Sequence, residues 1–455
     1  MQAQSTFGNI VGTVTDPANA AIPNATVVLV NKGSSARRTV KTNGSGEFNF
    51  NILDAGDYAV TVDAAGFEKT DFAEVHLLAR ETKRVDAKLR VGTEAQTVEV
   101  SSNSVEVITT DTSSLATMKT GEQLVDLPVA IYAHANGSTS PISTLTTNPG
   151  VQTDDSGDLV IAGATPALIS ITLDGISSVD VENSGPINEL FPSFNSIAEI
   201  RVSETNNNAE YSGVADITTT SRGGTNKYHG GIFENHENTA LNAGDPFQGS
   251  KTKIIMNDFG GFAGGPMTIP GVYRGKDKSF FFASYEGLRL PRETPLVMSV
   301  PSLAMRSGNL VSYLNAPGQN PGDPTITAPI YNYDGTQLDP ANVPVSPTAT
   351  ATMNALFPLP NKGDPDSFQN NYAVNFPAPI SSNQGDLRLD ETFTSKQSAF
   401  VRVTYKSRNV VSAPDPSCVG FCVTSGSPLT GGFAQPEVDA GVTLAHTYLF
   451  TPALI

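Results

Sequence analysis

Histidine and carboxylate are the pair a zinc peptidase uses, and this chain brings them close at His229, Glu234 and His236. Zinc hydrolysis needs a spacing such as His-Glu-x-x-His, which places two imidazoles on one helix face. No such spacing occurs among His76, His134, His229, His236 and His446. In a strand, positions 229 and 234 face opposite ways, so these read as surface or lumen histidines. Nucleophile chemistry is no better supported. Gly-x-Ser-x-Gly is absent, Gly44-Ser45-Gly46 reads as a hairpin turn, and Gly223-Gly224-Thr225-Asn226-Lys227 lacks the spacing of a phosphate loop. Asp154, Ser156 and Asp158 begin like a calcium loop, but Thr165 stands where the bidentate carboxylate belongs. A solvated acidic loop is the simpler reading. Cys418 and Cys422 fit a redox or soft-metal pair, or a disulfide closing a small loop in an oxidising compartment; the disulfide is preferred. The expectation is a protein that is no enzyme and uses no cofactor or metal.

Composition narrows the class. A net charge of −17 gives no basic face for a phosphate backbone, so nucleic acid is excluded as a partner. Gly (40) and Pro (31) are plentiful and only 16% of residues are charged, which favours short strands and turns. No apolar run approaches the roughly 18 residues of a membrane helix. Any crossing must be a barrel, the other structure that satisfies the backbone in lipid. The start, MQAQSTFGNI, has neither a basic nor an apolar region, so no signal peptide is read there.

Three regions follow from patterning. Residues 8–91 predict about seven short strands, at 9–15, 26–31, 37–42, 47–51, 58–63, 67–72 and 82–91, separated by turn signals. That is a β-sandwich. Residues 105–225 mix helix and strand, with Thr120 and Gln123 as a capping box before Leu124 and strands at 168–173, 199–203 and 216–221. From 227 onward six strands are expected, at 228–237, 257–268, 279–290, 385–393, 398–406 and 440–450. In the fifth, Ala399, Val401, Val403 and Tyr405 share one face, while Phe400, Arg402, Thr404 and Lys406 share the other. In the fourth, Leu387 and Leu389 oppose Asp386, Arg388 and Asp390. Apolar toward lipid and polar toward a wet lumen is the barrel signature. Short connections (269–278, 394–397) alternate with long ones (238–256, 291–384, 407–439), as turns and external loops do. Phe280, Phe281, Phe282 and Tyr285 fit an interfacial girdle, though the chain has no Trp.

Gly12-Thr-Val-Thr-Asp16, Gly46-Glu-Phe48, Gly56-Asp-Tyr58 and Gly66-Phe67 resemble the carboxypeptidase-regulatory-like, carbohydrate-binding-like domain. Leu173-Asp174-Gly175, Asn148-Pro149-Gly150-Val151, Ile197–Val202 and the stretch AEYSGVADITTTSRGGTNKYHG (209–230) resemble the plug and plug–barrel junction of TonB-dependent outer-membrane transporters of the Oar-like type. One departure is Arg222-Gly223-Gly224, where that branch usually has Lys-Ser-Gly.

The resemblance implies a mainly β chain in four parts. These are a sandwich at 1–92, a linker at 93–104, a small α/β plug at 105–225, and the first six or so antiparallel strands of an incomplete barrel at 226–455. Its signature residues would be Asp174, Gly175, Glu210, Tyr211, Gly224, Thr225 and Asn226. Thr97, Val98, Glu99, Val100 and Ser101 would be the TonB box, captured by strand addition; from propensity alone they read equally as a last sandwich strand or linker. The implied setting is a Gram-negative outer membrane with the sandwich in the periplasm. Its partners would be a TonB-type energy-coupling protein, outer-membrane lipid and a ligand at the external loops, whether oligosaccharide, peptide or metal chelate. Such barrels have about 22 strands, so an N-terminal fragment is expected. The rival is a secreted all-β surface protein that binds carbohydrate or mediates adhesion.

Overall fold

Alternation of buried and half-exposed side chains starts in the first strand, β1 (Gly8–Thr15), where Ile10 and Val14 point inward. The computed structural model describes residues 6–92, 97–100, 115–126, 140–154, 159–179, 191–205, 213–241, 254–314, 329–414 and 432–450. β2 (Thr26–Asn31), β3 (Arg37–Lys41), β4 (Glu47–Leu53), β5 (Gly56–Asp63) and β6 (Lys69–Leu77) follow. β7 (Thr82–Arg84) and β8 (Ala87–Lys88) then run parallel to β1. One strand was expected over 82–91; it divides where Asp86 turns its carboxylate onto the N–H (2.8 Å) and hydroxyl (2.7 Å) of Thr13. β9 (Thr97–Val100) closes the set as an edge strand parallel to β6.

The two sheets, β4-β1-β7 with β8 beside β1, and β3-β2-β5-β6-β9, enclose one apolar core. It includes Ile10, Val27, Leu29, Phe48, Val60 and Leu77. Removal of such surface from water is worth about 1.5–3 kcal/mol per large side chain, which explains why strands this short hold together.

The second unit is α/β. β10 (Leu115–Thr120) runs into α1 (Gly121–Asp126). The capping box forms at this junction: the Thr120 N–H donates to Gln123 (3.1 Å) and the Gln123 N–H to Thr120 (3.3 Å). A 3-10 turn (Pro141–Thr147), the hairpin β11 (Val151–Thr153) with β12 (Leu159–Ile161), and then β13 (Ile169–Leu173), β14 (Ile176–Ser177), β15 (Ile197–Thr205) and β16 (Ala215–Ser221) complete it. The sheet order is β10-β15-β16-β13-β14, with β13 parallel to β16. β13 is buried along its whole length, as a central strand of a covered sheet must be.

Six long antiparallel strands form the third unit, each hydrogen-bonded to the next in chain order. They are β17 (His229–Asn238), β18 (Ile255–Pro266), β21 (Ser279–Leu290), β26 (Ile380–Thr394), β27 (Gln397–Ser412) and β28 (Phe433–Tyr448). Among the described residues β17 and β28 do not pair with each other, so the sheet is an open arc. A two-residue ladder, β19 (Thr268–Ile269) with β20 (Tyr273–Arg274), tops one short turn, and Ser395 and Lys396 make another.

The long 291–379 connection has structure of its own. It holds β22 (Glu293–Met298), the hairpin β23 (Ile330–Tyr331) with β24 (Gln337–Leu338), and β25 (Tyr372–Pro377), besides short helices. β22 pairs with β25, and Asn371 ties the base by accepting from the Val300 N–H and donating to the carbonyls of Val300 and Ser367. Three of the six strands run longer than the apolar stripe predicts. At 15 and 16 residues they span about 50 Å, against an apolar band of about 25 Å. Polar strand ends therefore project beyond it.

Candidate plug–barrel site

In its last three strands, β26, β27 and β28, the arc turns its polar side inward. Arg402 (6% exposed), Thr404 and Lys406 (2%) are buried, while Val442 (68%), Leu444 (75%), Leu387 and Tyr405 lie open. A water-soluble sheet does the reverse. Ladder register places His229, Gly264, Phe282, Arg388, Arg402 and Thr443 in one inward row across the six strands. His229 thus faces in, and Glu234 and His236 face out, so the three do not converge.

The α/β unit fills this inward side, and Asp174 is its hub. Asp174 (φ +52°) and Gly175 (φ +81°) make the tight turn from β13 to β14 that two left-handed residues allow. The turn aims the Asp174 carboxylate at the arc. It accepts from the Ser221 N–H (2.8 Å) and from Nε of Arg402 (2.8 Å), with Arg388 at 3.5 Å. Arg388 also donates to the Ser221 carbonyl (3.0 Å), pairs with Asp390 (2.9 Å) and lies 4.1 Å from the centre of the Phe400 ring. Buried charge survives only when paired and hydrogen-bonded, and each charge here has both.

A second contact lies along the same strands. Asp386 accepts from the Ser193 N–H (3.0 Å), Ser196 (3.2 Å), Ser284 (3.2 Å) and Thr404 (2.8 Å). Gln384 donates to the Phe191 carbonyl at 2.8 Å.

The junction residues have separate tasks. Arg222, the departure from the expected Lys, places its guanidinium 5.7 and 5.8 Å from the Phe262 and Phe282 ring centres, a cation–π geometry. Gly224 passes so close to β21 that a Cβ would stand 2.4 Å from the Phe281 carbonyl. Thr225 makes a local turn to the Lys227 carbonyl (3.1 Å). Asn226 joins three regions: its N–H donates to Gly33 (2.9 Å), and its amide donates to Ser35 (2.9 Å) and exchanges hydrogen bonds with Asp277 (2.7 Å each).

The sandwich also packs against these units. Asp54 stands at the crevice between the sandwich and the barrel strands, within reach of the Arg388 charge, and desolvation there raises its carboxyl above the usual range. Arg388 and Arg38 partly offset that, and Asp390 adds to it. On the α/β face, burial likewise raises Glu199 and Asp216, offset by the Ala79 N–H and by Arg80 respectively.

Thr97–Val100 lie in β9, which pairs with β6 of the sandwich. Ser101, Glu210, Tyr211, Cys418 and Cys422 lie outside the described residues. Sequence reading placed Glu199, Arg201 and Asp216 in the stretches it singled out but gave them no partners, and it missed Arg80 and Ser193. The available signal was a charge set inside an otherwise apolar or β-branched strand, as Asp216 is.

The family described as Outer membrane beta barrel domain matches residues 220–455. The chain belongs to that family. Members are outer-membrane barrels, so this is an outer-membrane protein of transporter-like type, and its homology does not point to an enzyme. Residues 9–90 match the Carboxypeptidase regulatory-like domain. The TonB-dependent transporter Oar of Myxococcus xanthus is 26% identical over 291 residues, which is 61% of this chain and 26% of that protein. The chain therefore spans about a quarter of that relative's length. The outer membrane transporter YddB from Escherichia coli aligns with 74% of this chain and 37% of its own, at 12% identity and a TM-score of 0.39. Catechol 1,2-dioxygenase from Acinetobacter sp. ADP1 aligns with 21% of this chain and 59% of its own, at 13% identity and a TM-score of 0.17. Neither score supports a conclusion.

Proposed function

We propose that this outer-membrane barrel protein takes part in TonB-dependent uptake of a large or scarce ligand, such as an oligosaccharide, peptide or metal chelate. The observation that carries the reading is Asp174, held by two barrel arginines. A barrel whose lumen is occupied by a folded unit, bound through charges, blocks free diffusion and so needs work to open. In this reading residues 1–92 are the periplasmic sandwich, 93–104 the coupling linker, 105–225 the plug and 226–455 the barrel portion. Ligand meets the long-loop end. The TonB-type protein captures Thr97–Ser101. Placement of Thr97–Val100 at a sheet edge supports this, because an edge strand leaves one row of backbone groups open to an added strand.

The exposed apolar belt disfavours a soluble surface adhesin, since water penalises it. Deletion of residues 97–101 is expected to abolish energised uptake while ligand binding persists. Uptake at the wild-type rate would refute the coupling assignment.

A further inference from the structure

The loop between β6 and β7 reaches out of the sandwich into the plug. Ala79 is fully buried there. Its N–H donates to Glu199 (2.6 Å) and its carbonyl accepts from Arg201 (2.8 Å), both on β15. Next to it the Arg80 side chain, 7% exposed, ion-pairs with Asp216 on β16, which is 0% exposed. Ser203 of β15 pairs with Asp216, so these contacts straddle two neighbouring strands at the middle of the plug sheet. Arg80 holds φ +59° to do this. That region is unfavourable for a residue with a long side chain, and surroundings must over-determine it. On its other flank the sandwich is tied to the barrel junction, through Gly33 and Ser35 to Asn226.

We propose that the sandwich is a brace on the plug: residues 79–80 clip β15 and β16 while residues 33–35 hold the barrel junction, so the plug sheet cannot be remodelled while the sandwich stays docked. Two ends fixed to different bodies make a cross-strut, and a strut opposes relative movement of what it joins. β9 is an edge strand of this same sandwich, so a partner that captures residues 97–100 acts on the brace before the plug.

Hydrogen exchange of the detergent-solubilised chain tests this without any coupling protein, so its failure is separate from failure of the uptake reading. Arg80→Asn is the informative variant, because Asn accepts a left-handed backbone while the guanidinium and the stem that carries it to Asp216 are lost. Expected is at least tenfold faster exchange over 197–205 and 215–221, with 26–31 and 56–63 unchanged. Asp216→Asn should reproduce it. Plug exchange within twofold of wild type in both variants would overturn the brace. So would equal loss of protection in the sandwich strands, which would mean that Arg80 merely supports its own fold.

Discussion

The N-terminal sandwich and the barrel arc are built from the same period-2 alternation, yet they are inside-out relative to one another. In the sandwich Ile10, Val14, Val27 and Val60 are sealed from solvent, and charged Arg37 and Lys41 stand outside. In the arc Arg402 and Lys406 are sealed, and Val442 and Leu444 stand outside. Alternation alone therefore says only that two faces differ. Which face is inward depends on what lies on each side. Water surrounds the sandwich. Lipid surrounds the arc, and the α/β unit packs against its inner side.

The largest break in this contrast should come from its inner face. Asp174→Ala leaves Arg388 and Arg402 buried without their shared carboxylate, and loss of one partner of a buried pair costs about 3–5 kcal/mol. Limited proteolysis should then cut the plug while the sandwich resists. Next comes the outer face. Leu444→Arg puts a charge where hydrocarbon lies, at about 2–4 kcal/mol near the bilayer midplane, and should lower recovery in the membrane fraction. Thr39→Arg, on the exposed side of β3, should change stability by no more than about 0.5 kcal/mol.

The smallest effect concerns the seam between the two regions. Desolvation where the sandwich meets the barrel raises Asp54, so the docked state prefers its protonated form. Docking should be strongest in acid and weaken as pH rises from the ordinary carboxylate range through the raised value. Asp54→Asn should flatten that slope in thermal unfolding; an unchanged slope would place the titrating group elsewhere.

Much of this was legible in local sequence. Thr120 and Gln123 formed the capping box their spacing predicts, because a cap is decided within four residues. Ser279–Leu290 begins and ends where expected, since its turn signals are sharp. β10 was missed: Leu115–Thr120 alternates weakly and gains its strand character from pairing with β15. β26 and β28 start several residues before, and β27 ends several residues after, the expected bounds, because a mostly polar stretch gives no apolar stripe where strands leave the membrane. The inward set Asp386, Arg388, Arg402 and Lys406 was readable from period alone. Their partners were not, since Asp174 and Arg402 are 228 residues apart.

Sequence by itself settled where most of the long strands lie and which faces of the fourth and fifth barrel strands are polar. Those are short-range matters of backbone sterics and side-chain solvation. Tertiary structure alone decided that Asp174 meets Arg402, that Arg80 reaches Asp216, and that residues 97–100 lie against β6. Each of these joins segments whose separation along the chain carries no distance information, and only packing in three dimensions sets which charges share a dry space.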